Sequence, residues 1–288
     1  MNLPDRLAQV AHLKQHMSSL AAGLLTRGKP DWFLASSPTP QMAVDIFKGT
    51  WASAMPLEGV VSGNHDLFHD SRVTWWLDQV GGVAEQSLLE LGPLEGAHSW
   101  MLERAGAASV VAIESKTQAY LKCLVTNALL GMKRVQFLAG DFMSYLEQPG
   151  PCFDAAVACG VLYHLRDPQR LFPLLAKRCR GPVLLWTQYW TEDIAVSHPR
   201  LGRLLGPERV VVTESGTKLR LHRHSYRTTR FGRSFWGGNA SYSEWLDRSS
   251  LEAAIRDAGY EIAATAFDEP RHPNGPAVAM TLKPRMRR

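Results

Sequence analysis

The sequence lacks three features that would assign it to a special class. It has no run of about eighteen uninterrupted apolar residues, so no membrane-spanning helix is expected. Charged residues and histidines interrupt the N-terminal stretch up to Leu25, which therefore does not resemble a secretion signal. Its four cysteines form no CxxC pair, which argues against a zinc site or a disulfide framework. These absences predict a cytoplasmic protein without membrane partners.

The composition is that of an ordinary globular protein. The chain has 288 residues, of which 45% are hydrophobic and 20% are charged. This length suits one core domain with additions. The net charge is +5, and basic residues are concentrated between residues 200 and 233. Such a stretch allows an anionic small molecule or RNA as partner and does not distinguish between them.

The hydrophobic rhythm changes at about residue 87. Residues 3–26 carry apolar side chains at helical spacing, and residues 41–82 are irregular, so we assign residues 1–82 to an N-terminal helical or irregular lobe. Residues 83–288 form the second domain. Short apolar runs there alternate with helical patterns, which predicts an α/β fold with helices on both faces of a parallel sheet. Strands are expected at 87–92, 109–115, 134–141, 153–160, 182–188, 261–267 and 277–282.

Residues 190–247 interrupt this alternation. They are rich in histidine, arginine, threonine and glycine, and contain only two weak strand patterns, at 209–215 and 218–224. We interpret them as an insertion after the fifth strand that caps the sheet.

The first strand ends in a carboxylate followed at once by glycines, Glu90 with Gly92 and Gly96. Open parallel sheets bind ligands at the carboxyl ends of their strands. Glycine permits the sharp turn and the close ligand approach that such a site requires.

Acids also end the next two strands. Glu114 lies 24 residues after Glu90, the spacing of an acid that accepts hydrogen bonds from ribose hydroxyls. Asp141 and Phe142 follow the third strand. Asp141 can accept a hydrogen bond from the exocyclic amine of adenine, and Phe142 can cover the ring. The three strand ends together predict a nucleoside site.

These signals resemble the class I S-adenosylmethionine-dependent methyltransferases. The resemblance rests on ELGPLEG (90–96), Glu114, GDF (140–142) and VACGVLYHLRDP (157–168). It implies a Rossmann-like, mostly parallel sheet with an antiparallel last strand, and S-adenosyl-L-methionine as cofactor. It departs from the family at Leu94, where a middle glycine is common. The cofactor-binding residues that it implies are Glu90, Gly92, Pro93, Gly96, Glu114, Ser115, Asp141, Phe142, Cys159 and Gly160.

Candidate catalytic residues are histidines. His164 lies just past the fourth strand, where an acceptor is expected, and can act as a base, orient the acceptor or only pack. His222 and His224 alternate along a strand and thus share one face, which suits a substrate anion, a metal or a structural role. HDLFHD (65–70) raises the same metal question, but no resident metal is expected.

Three functions stay open. The first is transfer of a methyl group to an oxygen, nitrogen or carbon of a small-molecule acceptor, anionic or aromatic. The second is modification of a tRNA wobble nucleoside, since GVLYHLRDP is similar to bacterial enzymes that alkylate wobble uridine. The third is a non-catalytic protein that keeps the fold. A dehydrogenase is disfavoured because GPLEG replaces its GxGxxG fingerprint. We favour the first function; the sequence does not indicate an oligomeric state.

Overall fold

The computed structural model describes residues 34, 36–226 and 240–285. The described residues from Pro40 onward form one compact unit. Residues 40–82 therefore belong to the same unit as the sheet, and the division at residue 82 stays a prediction. The predicted helix over residues 3–26 lies outside the described residues.

The core of this unit is a seven-stranded sheet. Its strands are β1 (Ser87–Leu91), β2 (Ser109–Glu114), β3 (Val135–Ala139), β4 (Ala155–Cys159), β5 (Val183–Gln188), β9 (Tyr260–Glu269) and β10 (Ala277–Pro284), in the order β3-β2-β1-β4-β5-β10-β9. The first five strands are mutually parallel, and β10 runs antiparallel to both of its neighbours. This arrangement confirms the fold class predicted from the sequence.

Helices follow the strands because the strands are apolar on both faces and need cover on each. They are α3 (Ala97–Arg104), α4 (Thr117–Leu130), α5 (Phe142–Glu147), α6 (Leu171–Arg178) and α9 (Arg248–Asp257). Strand order reverses between β1 and β4, where the chain crosses from one half of the sheet to the other. Ligands of open α/β sheets bind at such a reversal.

Residues 40–82 contain three helical elements that precede the sheet. They are α1 (Pro40–Asp45), a 3-10 turn (Leu67–His69) and α2 (Ser71–Val80). Asp70 caps α2 by accepting a hydrogen bond from Arg72 N at 2.9 Å. Val73 and Trp76 are completely buried in a core cluster that they share with β1, β2 and β4.

The predicted insertion contains a second, smaller sheet, which we call the cap sheet. It follows α7 (Ile194–Ser197) and α8 (Pro199–Gly202) and consists of three antiparallel strands in sequence order: β6 (Leu205–Val212), β7 (Lys218–Ser225) and β8 (Tyr242–Leu246). The weak patterns at 209–215 and 218–224 correspond to β6 and β7, whereas β8 was not predicted. Leu219 and Leu221 of β7 pack into the main core beside Leu251 of α9.

The cysteines and the lengths of the helices bear on the predictions made from the composition. All four cysteines lie in the described part and are free thiols. Within residues 36–226 and 240–285, no helix is long and apolar enough to cross a membrane.

Candidate active site

The carboxyl end of β1 carries a buried acid. Glu90 is 1% exposed and accepts a hydrogen bond from the Ser99 hydroxyl on α3. Nδ1 of His98 lies 3.9 Å from its carboxylate. Burial raises the pKa of Glu90, and the nearby charge of Glu114 acts in the same direction. The β1 tip therefore presents a polar, tightly held group rather than a solvated one.

The turn after β1 is built from left-handed backbone. Gly92 and Gly96 have φ of 65° and 84°. A Cβ added to Gly92 would lie 2.6 Å from Cγ1 of Val161, and one added to Gly96 would lie 2.9 Å from Cζ of Phe137. Leu94, where a glycine was expected, also has a positive φ of 57°. The backbone at Leu94 therefore adopts the left-handed conformation that glycine favours, although the residue is leucine.

Glu114 connects this turn to β2. Its two carboxylate oxygens accept hydrogen bonds from the backbone N–H groups of Leu94, at 3.0 Å, and of Lys116, at 2.8 Å. The side chain is 8% exposed, and burial raises its pKa. Each carboxylate oxygen can accept a further hydrogen bond. Glu114 can therefore hold the glycine turn and a vicinal diol at the same time.

The residues after β3 are placed differently from what an adenine contact alone would suggest. Asp141 caps α5, accepting hydrogen bonds from Ser144 N at 2.9 Å and Ser144 Oγ at 2.7 Å through one oxygen. Phe142 is 8% exposed and packs in the main core with Leu146. Most of the Phe142 ring therefore faces protein, and its adenine role stays a prediction.

The other predicted cofactor residues lie at the same edge of the sheet. Pro93 is buried in the turn after β1, and Ser115 is exposed just after β2. Cys159 ends β4, and Gly160 follows with a φ of 78°. A Cβ on Gly160 would lie 3.1 Å from the Trp186 ring. The ends of β1, β2 and β4 therefore lie at one edge of the sheet, and the cofactor roles of these residues stay a prediction.

An ionic chain that the sequence did not reveal leads from α2 to the β1 tip. Arg72 lies over the Trp186 ring, 4.4 Å from its centroid, and pairs with Asp70. Asp70 also bonds Nε2 of His98 at 2.9 Å. Although burial acts to raise the pKa of Asp70, the hydrogen bonds of Arg72 and His98 outweigh it and hold that pKa well below its usual range. The Asp70 capping signal was visible in the sequence, but its partner on α3 was not.

His164 is the predicted catalytic residue nearest to the β4 end. It closes a 3-10 turn (Leu162–His164), and its Nδ1 lies 2.8 Å from the Tyr226 hydroxyl. Its ring is tilted against that of Tyr163, with centroids 4.2 Å apart. Burial, with a smaller contribution from His224, lowers the pKa of His164 to about 4. The imidazole is thus neutral near pH 7 and able to accept a proton.

His222 and His224 lie on β7 of the cap sheet, and both are buried. His222 stacks on Trp190 with ring centroids 3.7 Å apart, and His224 stacks on Trp245 at 5.0 Å. Burial lowers the pKa of both, that of His224 to about 4. They share a strand face and are enclosed by aromatic rings, so a catalytic role for either one stays a prediction. The described residues contain no cluster of three or more histidine, cysteine or acidic side chains able to hold a metal.

Comparison with known proteins agrees with this geometry. A family model described as a methyltransferase domain matches residues 89–180. The match confirms the resemblance predicted from the sequence. A curated tRNA U34 carboxymethyltransferase of Marinobacter nauticus is 32% identical over 142 residues, which is 48% of this chain and 41% of that relative. The chain therefore spans less than half the length of this relative.

Solved structures share the fold at low sequence identity. The N-terminal domain of EvdMO1, crystallised in the presence of SAH and D-fucose, has a TM-score of 0.61 at 22% identity, covering 86% of this chain and 95% of that one. Magnesium protoporphyrin IX methyltransferase of Synechocystis PCC 6803, with bound SAH, has a TM-score of 0.51 at 15% identity, covering 88% and 90%. These likenesses show the fold.

Proposed function

We propose that this chain, whose residues 89–180 belong to the methyltransferase domain family, transfers a methyl group from S-adenosyl-L-methionine to a small-molecule acceptor. The acceptor atom is a nucleophilic oxygen, nitrogen or carbon. The observation that carries the proposal is the placement of Glu90, the glycine turn and Glu114 at adjoining strand ends, at the reversal of strand order. Gly92 and Gly96, where an added Cβ would collide with neighbouring side chains, belong to the same turn.

The residues present fit an adenosyl cofactor. Glu114 retains hydrogen-bonding capacity for ribose hydroxyls, and we assign the methionine portion to the buried acid Glu90. When bound, the cofactor supplies a methyl group that is already activated on a sulfonium. The protein then has mainly to align the acceptor and to exclude water. His164 is our candidate for taking a proton from the acceptor.

The acceptor side favours a small molecule that is anionic or aromatic. Arg72, which is paired with Asp70, and Trp186 form a polar and aromatic surface beside Cys159 and Gly160. Small-molecule sites are concave, with aromatic walls and a few placed polar groups. The fold neighbour crystallised with SAH and D-fucose supports a compact hydroxylated acceptor in a fold of this type.

A tRNA substrate is the second candidate, and the curated carboxymethyltransferase relative favours it. Several arginines of the basic stretch are, however, engaged within the protein. Arg209 pairs with Glu244 and with Asp167, the latter at 3.1 Å, and Arg220 pairs with Asp247 at 2.6 Å. Such pairing leaves less positive charge for phosphates. Binding of bulk tRNA that weakens steeply with salt would favour this candidate, and no binding at low salt would remove it.

The cofactor claim is tested by calorimetric titration with S-adenosylhomocysteine. Wild-type protein should bind it, and Glu114→Ala should bind it at least about tenfold more weakly, since a hydrogen-bonding carboxylate is lost. Glu103→Ala is the matched control. The Glu103 carboxylate also accepts hydrogen bonds from two backbone N–H groups, those of Lys133 and Arg134, but it lies at the other end of α3. Equal affinity of wild type and Glu114→Ala would refute the ribose role.

We also place the protein in the cytoplasm, where its four free thiols would stay reduced. Cell fractionation tests this location. Recovery of the protein from an oxidising compartment would contradict it.

A further inference from the structure

A hydrogen-bonded chain joins the cap sheet to the predicted catalytic histidine. Nδ1 of His164 lies 2.8 Å from the Tyr226 hydroxyl, and this hydroxyl donates to Oγ of Ser243 at 3.0 Å. Tyr226 follows β7, and Ser243, which is completely buried, belongs to β8. A residue just after β7 and a residue of β8 thus form the chain of hydrogen bonds that ends at His164, past the end of β4.

The direction of these hydrogen bonds determines which ring nitrogen of His164 carries the proton. A tyrosine hydroxyl has one hydrogen, which Tyr226 gives to Ser243, so its oxygen accepts a hydrogen bond from His164. Nδ1 of His164 must therefore carry the proton. A neutral imidazole has one N–H, so Nε2 is left with a free lone pair. Within residues 36–226 and 240–285, Nε2 of His164 has no hydrogen-bond partner.

The backbone on both sides of His164 is also held by β8. Nε1 of Trp245 donates to the carbonyl of Tyr163 at 3.0 Å, and the backbone N–H of Glu244 donates to the carbonyl of Leu165 at 2.8 Å. The cap sheet therefore fixes the position of the turn as well as the ring. Burial keeps this ring neutral, which is the state in which a single tautomer is defined.

We propose that Tyr226 and Ser243 are positioning residues that hold His164 as the Nδ1–H tautomer, and that the acceptor is a hydroxyl compound, an alcohol or a phenol. The inference rests on the proposed methyl transfer. The hydroxyl oxygen forms its bond to the methyl carbon as the carbon–sulfur bond breaks, and Nε2 of His164 takes the hydroxyl proton. The imidazolium then returns this proton to solvent. A neutral amine attacks with its own lone pair and needs no such base, so an unprotonated Nε2 at the end of β4 favours a hydroxyl.

The tautomer is measurable by NMR on the full chain with ¹⁵N-labelled histidine, and His164→Gln identifies the resonance. In wild type, Nδ1 should be protonated and Nε2 unprotonated. Ser243→Ala frees the Tyr226 hydrogen to turn toward Nδ1, so the Nε2–H tautomer should become dominant. Tyr226→Phe should give a mixture. Tyr242→Phe, on the same cap strand as Ser243 but stacked on Arg223, should match wild type.

The result that overturns the positioning role is a protonated Nε2 in wild type, or a Ser243→Ala spectrum identical to wild type. Binding of S-adenosylhomocysteine is measured on the same sample. If the cofactor product binds while the tautomer is wrong, the positioning role fails and the proposed function stands. If the tautomer is right without binding, the proposed function fails and the hydroxyl acceptor with it, and only the positioning role stands.

The hydroxyl assignment has its own readout. The enzyme is incubated with cell-extract metabolites and methyl-tritiated cofactor, and the labelled product is heated with hydriodic acid, which cleaves methyl ethers. Release of the label as methyl iodide is expected. Label retained on nitrogen or carbon would overturn the hydroxyl class.

Discussion

The edge of the sheet has two halves that are held in different ways. In the cofactor half, at β1 to β3, carboxylates bond backbone groups 2 to 20 residues away along the chain: Glu114 reaches Lys116 and Leu94, and Asp141 reaches Ser144. In the acceptor half, at β4 and β5, side chains bond partners 62 and 82 residues away, as in the His164–Tyr226 and Tyr163–Trp245 pairs. The cofactor half is therefore shaped by its own turns, and the acceptor half depends on the cap sheet.

Glu95 belongs to the cofactor half but bonds residues far away along the chain. Its substitution should have the largest effect on the free energy of unfolding. Glu95, which is 1% exposed, accepts hydrogen bonds from the backbone N–H groups of Ala52 and Ser53 and pairs with the buried Lys122 at 2.8 Å. Glu95→Ala would leave the Lys122 charge buried and unpaired. We expect a loss of about 3–5 kcal/mol in the free energy of unfolding, measured with urea.

The half-buried Glu103 provides the control for this measurement, and Glu103→Ala should cost about 1 kcal/mol or less. The double variant Glu95→Leu/Lys122→Met, which removes both charges, should recover part of the loss. A Glu95→Ala variant as stable as wild type would show that residues 50–55 do not depend on this clamp.

Lowering the pH should change the stability contributions of the two halves in opposite directions. His164 and His224 have pKa values lowered by burial to about 4, so the unfolded chain binds more protons than the folded one between pH 6.5 and 4. Their stability contribution is present above pH 6.5 and is lost as the pH falls, by about 3 kcal/mol each. Burial raises the pKa of Glu90 and of Glu114, so acidification acts on these two in the opposite direction and stabilises the folded state.

Urea unfolding at pH 7 and pH 4.5 tests this difference. His164→Gln should lose less stability than wild type over that interval, and Glu90→Gln should lose more, since it cannot gain the stabilising proton. If all three proteins respond to pH alike, the assignment of acid sensitivity to the acceptor half is incorrect.

Two glycine substitutions, one in the cofactor turn and one at an ordinary helix end, should differ in their effects on stability and cofactor binding. Gly92→Ala combines a φ of 65° with a contact of 2.6 Å, and should cost about 2 kcal/mol and weaken S-adenosylhomocysteine binding about tenfold. Gly81 ends α2 at a φ of 75°, with no atom of the described chain within 4 Å of an added Cβ. Gly81→Ala should cost about 1 kcal/mol and leave binding unchanged. Equal binding losses would place the site elsewhere.

The smallest effect is expected at Leu94. Its positive φ costs about 1–2 kcal/mol for a residue with a Cβ, which Leu94→Gly would relieve at the expense of side-chain packing and chain entropy. The unfolding free energy should change by about 1 kcal/mol or less, with binding of S-adenosylhomocysteine retained. Loss of binding would mean that the Leu94 side chain itself shapes the cofactor site.

The sequence predicted the cofactor half better than the acceptor half for a physical reason. Strands, glycines and terminal acids are local patterns, so the sheet and the positions of Glu90 and Glu114 followed from spacing alone. The partners of His164 lie on strands whose register no local pattern encodes, and β8 was missed. The Asp70–His98 bond spans 28 residues between an irregular segment and α3. The left-handed backbone of Leu94 was also unpredictable, because its side chain gives no sign of it.

The central claim, that an adenosyl cofactor binds at the ends of β1 and β2 and extends to the end of β4, is tested most directly by a crystal structure of the protein with S-adenosylhomocysteine. We predict both ribose hydroxyls on the Glu114 carboxylate and the sulfur beside Cys159 and Gly160. A nucleoside bound away from Glu114, or crystals that take up no nucleoside at saturating concentration, would contradict the account.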